Sequence, residues 1–512
     1  MSRYGFVIDH RRCIGCHACT VACKSENEVP LGVFRTWVKY TEKGTFPSTR
    51  RFFTVERCNH CDNAPCVEIC PTKALYRRPD GIVDFDPSRC IGCKSCMQAC
   101  PYDAIYIDPF TNTAAKCNYC AHRVDVGLLP ACVVVCPAKA IIAGDIDDET
   151  SEIHHLISRE QVAVRKPEQG TQPKVFYIGA DDASLTPEAL SWSNSYLWGE
   201  LREDGRPPEA TTAENWQSMP ADSTVVYDIH HPKPWGWKVA TYLWTKAIAA
   251  GAALIAAILL IFGWGVDGDT LNYAAPIIAM LFIAATALLL VVDLKRPERF
   301  WFLLTKPNPT SWLVWGGYIL GAFGALAALW LLAAALDLAF LQGVLMALAA
   351  PIAVATAGYT AFLFAQAEGR DYWQSPVLLP HLIAQSVVAG SGALLIAGAL
   401  LDADRADMRL LSAILGVGVA VTTALMVMEF AVPHVNAHVK RTVHLITAGP
   451  YRSLYYGGIL LIGALVPLAL VAAVFGGDNE RWLGALAAVA ALAGLWVYER
   501  VWVSAGQDVP LS

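Results

Sequence analysis

After Cys136 the chain has no cysteine for 376 residues, although it carries 16 of them before that point. Whatever the thiols do is therefore confined to the first quarter of the molecule. Other absences narrow the function further. The opening MSRYGFVIDHRR lacks the apolar run of a secretory signal, so export by a signal of its own is not expected. No basic tract or basic–aromatic alternation occurs and the formal net charge is −6, so no nucleic acid partner is expected. No G-x-G-x-x-G follows a strand pattern, and nothing suggests a nicotinamide or pterin site on this chain. Charge also thins along the length. Residues 1–232 mix both signs with many prolines, whereas from about Val239 long apolar runs alternate with short charged loops. A chain of 512 residues exceeds one ordinary domain. The boundaries expected are 1–180 for a soluble domain, 181–232 for an extension and 233–512 for a membrane domain.

The cysteines form four groups of four. Cys13, Cys16, Cys19 and Cys23 follow C-x2-C-x2-C-x3-C, and Cys90, Cys93, Cys96 and Cys100 repeat that spacing. Cys58, Cys61, Cys66 and Cys70 widen the middle gap, and Cys117, Cys120, Cys132 and Cys136 carry an insertion before the closing C-x3-C-P. Three closely spaced thiolates wrap one face of an iron–sulfur cubane, and the fourth reaches a neighbouring cluster. Soft thiolates also suit zinc, and an even count also suits disulfides. Zinc sites rarely repeat this spacing, however, and dense cysteine runs in a reducing cytosol read as metal ligands.

The runs CIGCHACTVACKSENEVP, NHCDNAPCVEICP and DPSRCIGCKSCMQACPYDA resemble the four-cluster electron-transfer subunit of membrane-bound molybdopterin oxidoreductases, over roughly residues 1–180. The resemblance implies that Cys13, Cys16, Cys19 and Cys136 hold one cluster, and Cys117, Cys120, Cys132 and Cys23 its neighbour. Cys58, Cys61, Cys66 with Cys100, and Cys90, Cys93, Cys96 with Cys70, would hold the other two. All four would be [4Fe-4S], since no position is replaced by Trp. The fold expected is an α+β ferredoxin-like domain, with hairpins at ALYRRPDGIVDFD and AIYIDPFTNTAAK, short helices after each fourth Cys and a strand at KVFYIG, 174–179. Segment 145–232 is expected to be a partly ordered extension leading to the membrane, with a disordered linker over 200–224 as the alternative.

Eight apolar stretches are long enough to cross a bilayer: 239–263, 271–292, 312–335, 341–367, 376–400, 408–432, 454–476 and 481–503. Trp235, Trp237, Trp312, Trp315, Tyr455, Tyr456 and Trp496 would form the interfacial belts. On the side of the N-terminal domain lie eleven cations: Lys233, Lys238, Lys295, Arg296, Arg299, Lys306, Arg370, Lys440, Arg441, Arg452 and Arg500. Only Arg405, Arg409 and Arg481 lie opposite, among Asp267, Asp269, Asp337, Asp402, Asp404, Asp407 and Asp478. That bias places the iron–sulfur domain on the cytoplasmic face of a bacterial inner membrane.

PWGWKVATYLWTKAIAAG at 234–251 and DLKRPERFW at 293–301 resemble the NrfD/polysulfide-reductase type of membrane anchor. The resemblance implies an all-α, eight-helix quinone-binding bundle without haem. The histidines agree, because only His381 falls within a span, while His434, His438 and His444 fall in a loop. Ionisable residues within spans are costly and often functional. Lys246, Asp293, Glu429 and His381 all lie on the cluster-facing half, with Tyr242 one turn before Lys246. A quinone site near Lys246 and Asp293 is expected. The alternatives are a buried Lys–carboxylate pair, Asp293 pairing with Arg296, and an interfacial anchor for Tyr242.

The function expected is electron transfer between menaquinone or ubiquinone in the membrane and a separate molybdopterin (molybdenum or tungsten) subunit. Two other readings stay open: an electron-driven proton-translocating module, and a passive anchor without a quinone site.

Overall fold

A computed structural model of the chain describes residues 2–186, 190–192, 223–263, 270–431, 436–477 and 479–512. Most of 200–224, together with Asp267, Asp269, His434 and Asp478, lies outside the described residues.

The N-terminal half is built on two four-stranded sheets. In one, Tyr4–Asp9 pairs antiparallel with Ile141–Asp145 and parallel with Val175–Ile178, the strand expected at 174–179; Val162–Ala163 closes the far edge. In the other, Thr36–Lys43 lies between Arg50–Arg57 and Ser223–Tyr227, with Ser191–Trp192 outermost. The extension after residue 180 thus returns two strands to the iron–sulfur half. Both expected hairpins form, Leu75–Arg77 with Val83–Phe85 and Ile105–Ile107 with Ala114–Lys116.

The short helices differ from expectation. Pro65–Glu68, Ser95–Ala99 and Ala131–Val134 each carry the third Cys of their group and stop before the fourth. Pro71, Pro101 and Pro137 follow those fourth cysteines, and the residue before a proline is steered out of the helical region. Cys100 accordingly sits at φ −79°, ψ 112°. The extended backbone swings the fourth thiol away from its own group. Only Ala18–Glu26 in the first group, which no proline follows, runs on through its fourth Cys, Cys23.

Eight helices are long and apolar enough to cross a membrane: Trp237–Ile261, Leu271–Asp293, Trp312–Ala335, Ala339–Ala365, Leu378–Leu400, Arg405–Ala431, Leu454–Gly476 and Glu480–Asp508, here spans one to eight. Span eight runs to Asp508, beyond the expected 503, and Arg500, two turns before its end, holds its guanidinium over Trp496. His438 and His444 lie in an eleven-residue helix, Ala437–Thr447, rather than a loop. Span one is the most enclosed, 78% buried against 28% for span two, because spans two, four, five and eight surround it. Its Gly251 meets Gly390 and the Ser386 carbonyl of span five so closely that a Cβ would overlap backbone. Small residues allow such approaches in a medium that offers no hydrophobic drive. Gly463 and Gly494 make the same contact between spans seven and eight.

The halves are fastened by hydrogen bonds. Lys295 and Arg296 donate backbone N–H to the carbonyls of Gly92 and Ile91, at 3.1 and 3.2 Å. Asn308 Nδ2 donates to the Cys70 carbonyl at 2.8 Å, and Ser311 Oγ to that of Ile69 at 2.7 Å. Arg370, buried, donates to Gln98 Oε1 at 3.0 Å and to the Val509 carbonyl at 3.0 Å.

Candidate redox site

Four sets of thiols come together, each drawn from two sequence groups. Cys13, Cys16, Cys19 and Cys136 line one cavity of about 330 Å³. Cys23, Cys117, Cys120 and Cys132 line a second, of about 270 Å³. Cys61 and Cys66 share their electrostatic surroundings with Cys58 and Cys100, and Cys93 and Cys96 share theirs with Cys90 and Cys70. Among the described residues no three Cys, His, Asp or Glu side chains converge as one metal ion requires. Thiols around a cavity suit a four-iron cubane better than a lone zinc.

The protein's own donors suit that cargo. Burial pushes the Cys19 thiol up to about 11 and those of Cys93 and Cys117 up to about 12, so bare thiolates would be costly and bound iron would displace their protons. Backbone N–H groups of Gly92 and Ala114 point at Cys90 Sγ at 3.4 and 3.3 Å, and that of Ala140 at Cys136 Sγ at 3.2 Å. Buried Arg57 reaches Cys132 Sγ at 3.3 Å. Hydrogen bonds and positive charge at the sulfurs favour the more electron-rich state.

The sets form a row. Cys19 neighbours Cys132, Cys117 neighbours Cys58, and Cys96 neighbours Cys66. At one end Cys16 is exposed to solvent. At the other, the loop carrying Cys93 rests on the helix bundle, where Trp235 Nε1 donates to the Cys93 carbonyl at 3.3 Å. Trp235 was expected in an interfacial belt; it is instead buried, stacked on Trp373 at 5.4 Å, with Trp373 against Trp502 at 5.8 Å. Trp237, Trp315 and Tyr456, by contrast, are exposed as belt residues are.

Below these rings lies a mostly apolar cavity of about 380 Å³ between spans five, six, seven and eight, with His381 and Tyr498 on its wall. Tyr498 is one helical turn before Trp502, on the same face of span eight. Its hydroxyl meets His381 Nδ1 at 3.3 Å. His381 Nε2 is buried with no hydrogen-bond partner among the described residues. Thr422 and Thr423, also on the wall, spend their hydroxyl protons on the Gly418 and Val419 carbonyls of their own helix. One open polar atom in an apolar chamber suits a flat molecule with a single carbonyl to anchor.

The five residues expected at a quinone site are not gathered in one place. Asp293 bonds Lys94, between Cys93 and Cys96, at 2.7 Å, while Arg296 turns to Glu298. Lys246 Nζ donates to the Ala357 carbonyl at 2.9 Å and to Thr360 Oγ1 at 2.5 Å, with Glu499 as its electrostatic partner. Tyr242 is buried between Asp293 and Glu499 rather than anchored at an interface. Glu429, half-buried, hydrogen-bonds Ser375. Glu499 and Tyr498 are not singled out by the sequence. Both lie inside the expected span 481–503, so the criterion that picked out Lys246 and Glu429, an ionisable residue within a span, was also met by Glu499.

A family model described as polysulphide reductase, NrfD, matches residues 226–510. Two models of a 4Fe-4S dicluster domain match residues 12–75 and 49–146. A tetrathionate reductase subunit from Salmonella typhimurium is 48% identical over 203 residues, 39% of this chain and 81% of that one. Protein NrfC of Escherichia coli is 45% identical over 179 residues, 34% and 80% of the two chains. A polysulfide reductase component from Wolinella succinogenes is 42% identical over 181 residues, 34% and 94%.

Proposed function

Because this chain belongs to the polysulphide reductase NrfD family, its membrane half fused to a 4Fe-4S dicluster half, we propose that it moves electrons between membrane quinone and a catalytic subunit. The observation that carries the reading is the row of thiol sets, open to solvent at Cys16 and seated on the bundle at Cys93.

In this reading the four sets of cysteines each hold one [4Fe-4S] cluster, paired as in the row. When bound, the clusters supply one-electron carriers. The chain's own residues position them, exclude water and supply the N–H···S bonds. Quinone, menaquinone or ubiquinone, occupies the cavity at His381, whose Nε2 binds one carbonyl. Trp235, Trp373 and Trp502 fill the space between the last cluster and that cavity, so electrons tunnel through packed rings rather than a gap. No haem takes part, since His381 is the one histidine in the eight spans. Asp293 fastens the domains through Lys94, and Lys246 braces spans one, four and eight through Glu499.

The catalytic subunit docks at the outer end, where Ile14, Val21 and Val134 are 61, 66 and 63% exposed around Cys16. Relatives named as parts of reductases support such a partner, and in this reading it is a molybdopterin enzyme, as the resemblance of the cysteine runs implies. Purified protein is expected to contain about 16 iron and 16 acid-labile sulfide per chain. Colorimetric iron near 12 would remove one cluster from the reading. Its core test is mixing: a soluble naphthoquinone should reoxidise pre-reduced clusters within the mixing experiment, and visible absorbance unchanged by quinone overturns the quinone link.

The iron–sulfur half faces the cytoplasm of a bacterial inner membrane, on the strength of the eleven cations against three. A reporter fused after Ser512 should then fluoresce as a cytoplasmic protein. Alkaline phosphatase activity from the same position reverses the orientation.

A further inference from the structure

We propose that Arg57 sets the order in which the outer end of the row fills with electrons. It holds the cluster at Cys23, Cys117, Cys120 and Cys132 at a higher reduction potential than the solvent-facing one beside Cys16. The inference rests on the four-cluster reading and adds to it the residue that ranks two of the clusters.

The placement begins with a strand pair. Thr36–Lys43 and Arg50–Arg57 run antiparallel, with Val38 opposite Val55 and Thr36 opposite Arg57. Residues two apart on a strand share a face, so these two rungs look the same way. The Val38–Val55 rung lines the cavity of Cys13, Cys16, Cys19 and Cys136. The Thr36–Arg57 rung lines the cavity of the second set. One face of one sheet thus offers aliphatic side chains to the first set and a guanidinium to the next.

Arg57 is 1% exposed and stays charged at every working pH. Its Nη1 meets Cys132 Sγ at 3.3 Å, and its guanidinium lies over the Phe6 ring, 4.4 Å from the centroid. Nε and Nη2 have no hydrogen-bond partner among the described residues. The groups whose charge it feels most are the thiols of Cys132, Cys117 and Cys19, two of them in the second set. A buried charge without a counter-ion is costly. The anionic group held by those thiols is the counter-ion that fits, and two donors are left over to meet it. Other donors add to the same cavity. Arg35 lines it and bonds Asn27 Oδ1 at 3.0 Å, and the Asn27 amide lies 3.7 Å from Sγ of both Cys23 and Cys120. No lysine or arginine lines the first cavity.

Reduction adds one negative charge, which positive charge and N–H donors at the sulfurs favour. Solvent at Cys16 acts in the same sense on the outer set, but through screened water dipoles. Arg57 acts as a full charge in a low-dielectric interior, where the effect is larger. One electron leaving the outer set is therefore one electron gained by the second. Cys23, Cys117, Cys120 and Cys132 are all buried, so reducing equivalents wait out of contact with solvent.

The test is a dithionite titration of the full chain in detergent, clusters loaded, followed by EPR at low temperature. Cys120→Ser and Cys16→Ser identify the two signals by their loss. In the unaltered protein the signal missing from Cys120→Ser should appear at the higher potential, and the reverse order overturns the proposal. Arg57→Met removes the charge at similar length. It should keep about 16 iron per chain and lower the midpoint of that one signal. Arg57→Lys, which keeps a charge, should restore most of the loss, a rescue that a packing role would not give. Should Arg57→Met fail to hold the cluster, Arg57→Gln, neutral but still a donor to Cys132, carries the same comparison. An unmoved midpoint at full iron overturns the proposal. Iron at about 12 in both neutral variants also overturns it, because Arg57 is then an assembly residue. No signal lost in Cys120→Ser removes the four-cluster reading beneath it.

Discussion

Cys70→Ser should leave three clusters of four and no electron exchange with quinone. In the proposed pairing Cys70 completes the set with Cys90, Cys93 and Cys96, the one seated on the bundle. Its carbonyl accepts from Asn308, and the Cys93 carbonyl accepts from Trp235. Electron tunnelling weakens steeply with distance, so the next set, around Cys66, is a poor substitute. Iron should fall from about 16 to about 12 per chain while dithionite still bleaches the remainder. Naphthoquinone should no longer reoxidise it. The corresponding change at exposed Cys16 removes the outer cluster instead. It should spare exchange with quinone and abolish exchange with the catalytic partner. Quinone reoxidation that persists in Cys70→Ser would mean that another set stands nearest the membrane.

Lys246→Met should destabilise the membrane half. Lys246 is 1% exposed and Glu499 2%. Lys246 also ties span one to span four through the Ala357 carbonyl and Thr360. Taking away the buried amine strips the Ala357 carbonyl and the Thr360 hydroxyl of their donor, at a cost of about 1–3 kcal/mol. Glu499, buried beside it, feels the Lys246 charge and loses that influence too. Lys246→Met combined with Glu499→Gln should therefore recover only the Glu499 part of the loss in thermal unfolding followed in detergent. A single variant as stable as the unaltered protein would show that Lys246 is not a brace. Its place on the half of the bundle facing the clusters would then make it a proton donor.

The cysteine sets were legible because ligand spacing is local: a cubane dictates which residues sit two or three apart. The spans were legible because a bilayer dictates length, and span eight fell short only over 504–508, where SAGQD looks like a loop. Long-range partners were not legible. Asp293 was weighed against Arg296, three residues away, but its partner is Lys94, 199 positions distant in sequence. Trp235 looked like a belt residue because tryptophan at a span end usually is one. Here the iron–sulfur domain covers that end and turns the interface into an interior. His381 was one candidate among five, and what raises it is the cavity, which depends on spans five to eight packing together.

Thr36–Lys43 has Ser223–Tyr227 along one side, a strand that returns after the long extension. Cutting the chain at residue 180 would leave bare the stretch Tyr40–Lys43 that Ser223–Tyr227 covers, at the end of the strand TWVKYTEK. A bare edge invites another chain to pair with it. The separated ferredoxin half would then tend to form aggregates in solution through that strand, even with every cluster in place.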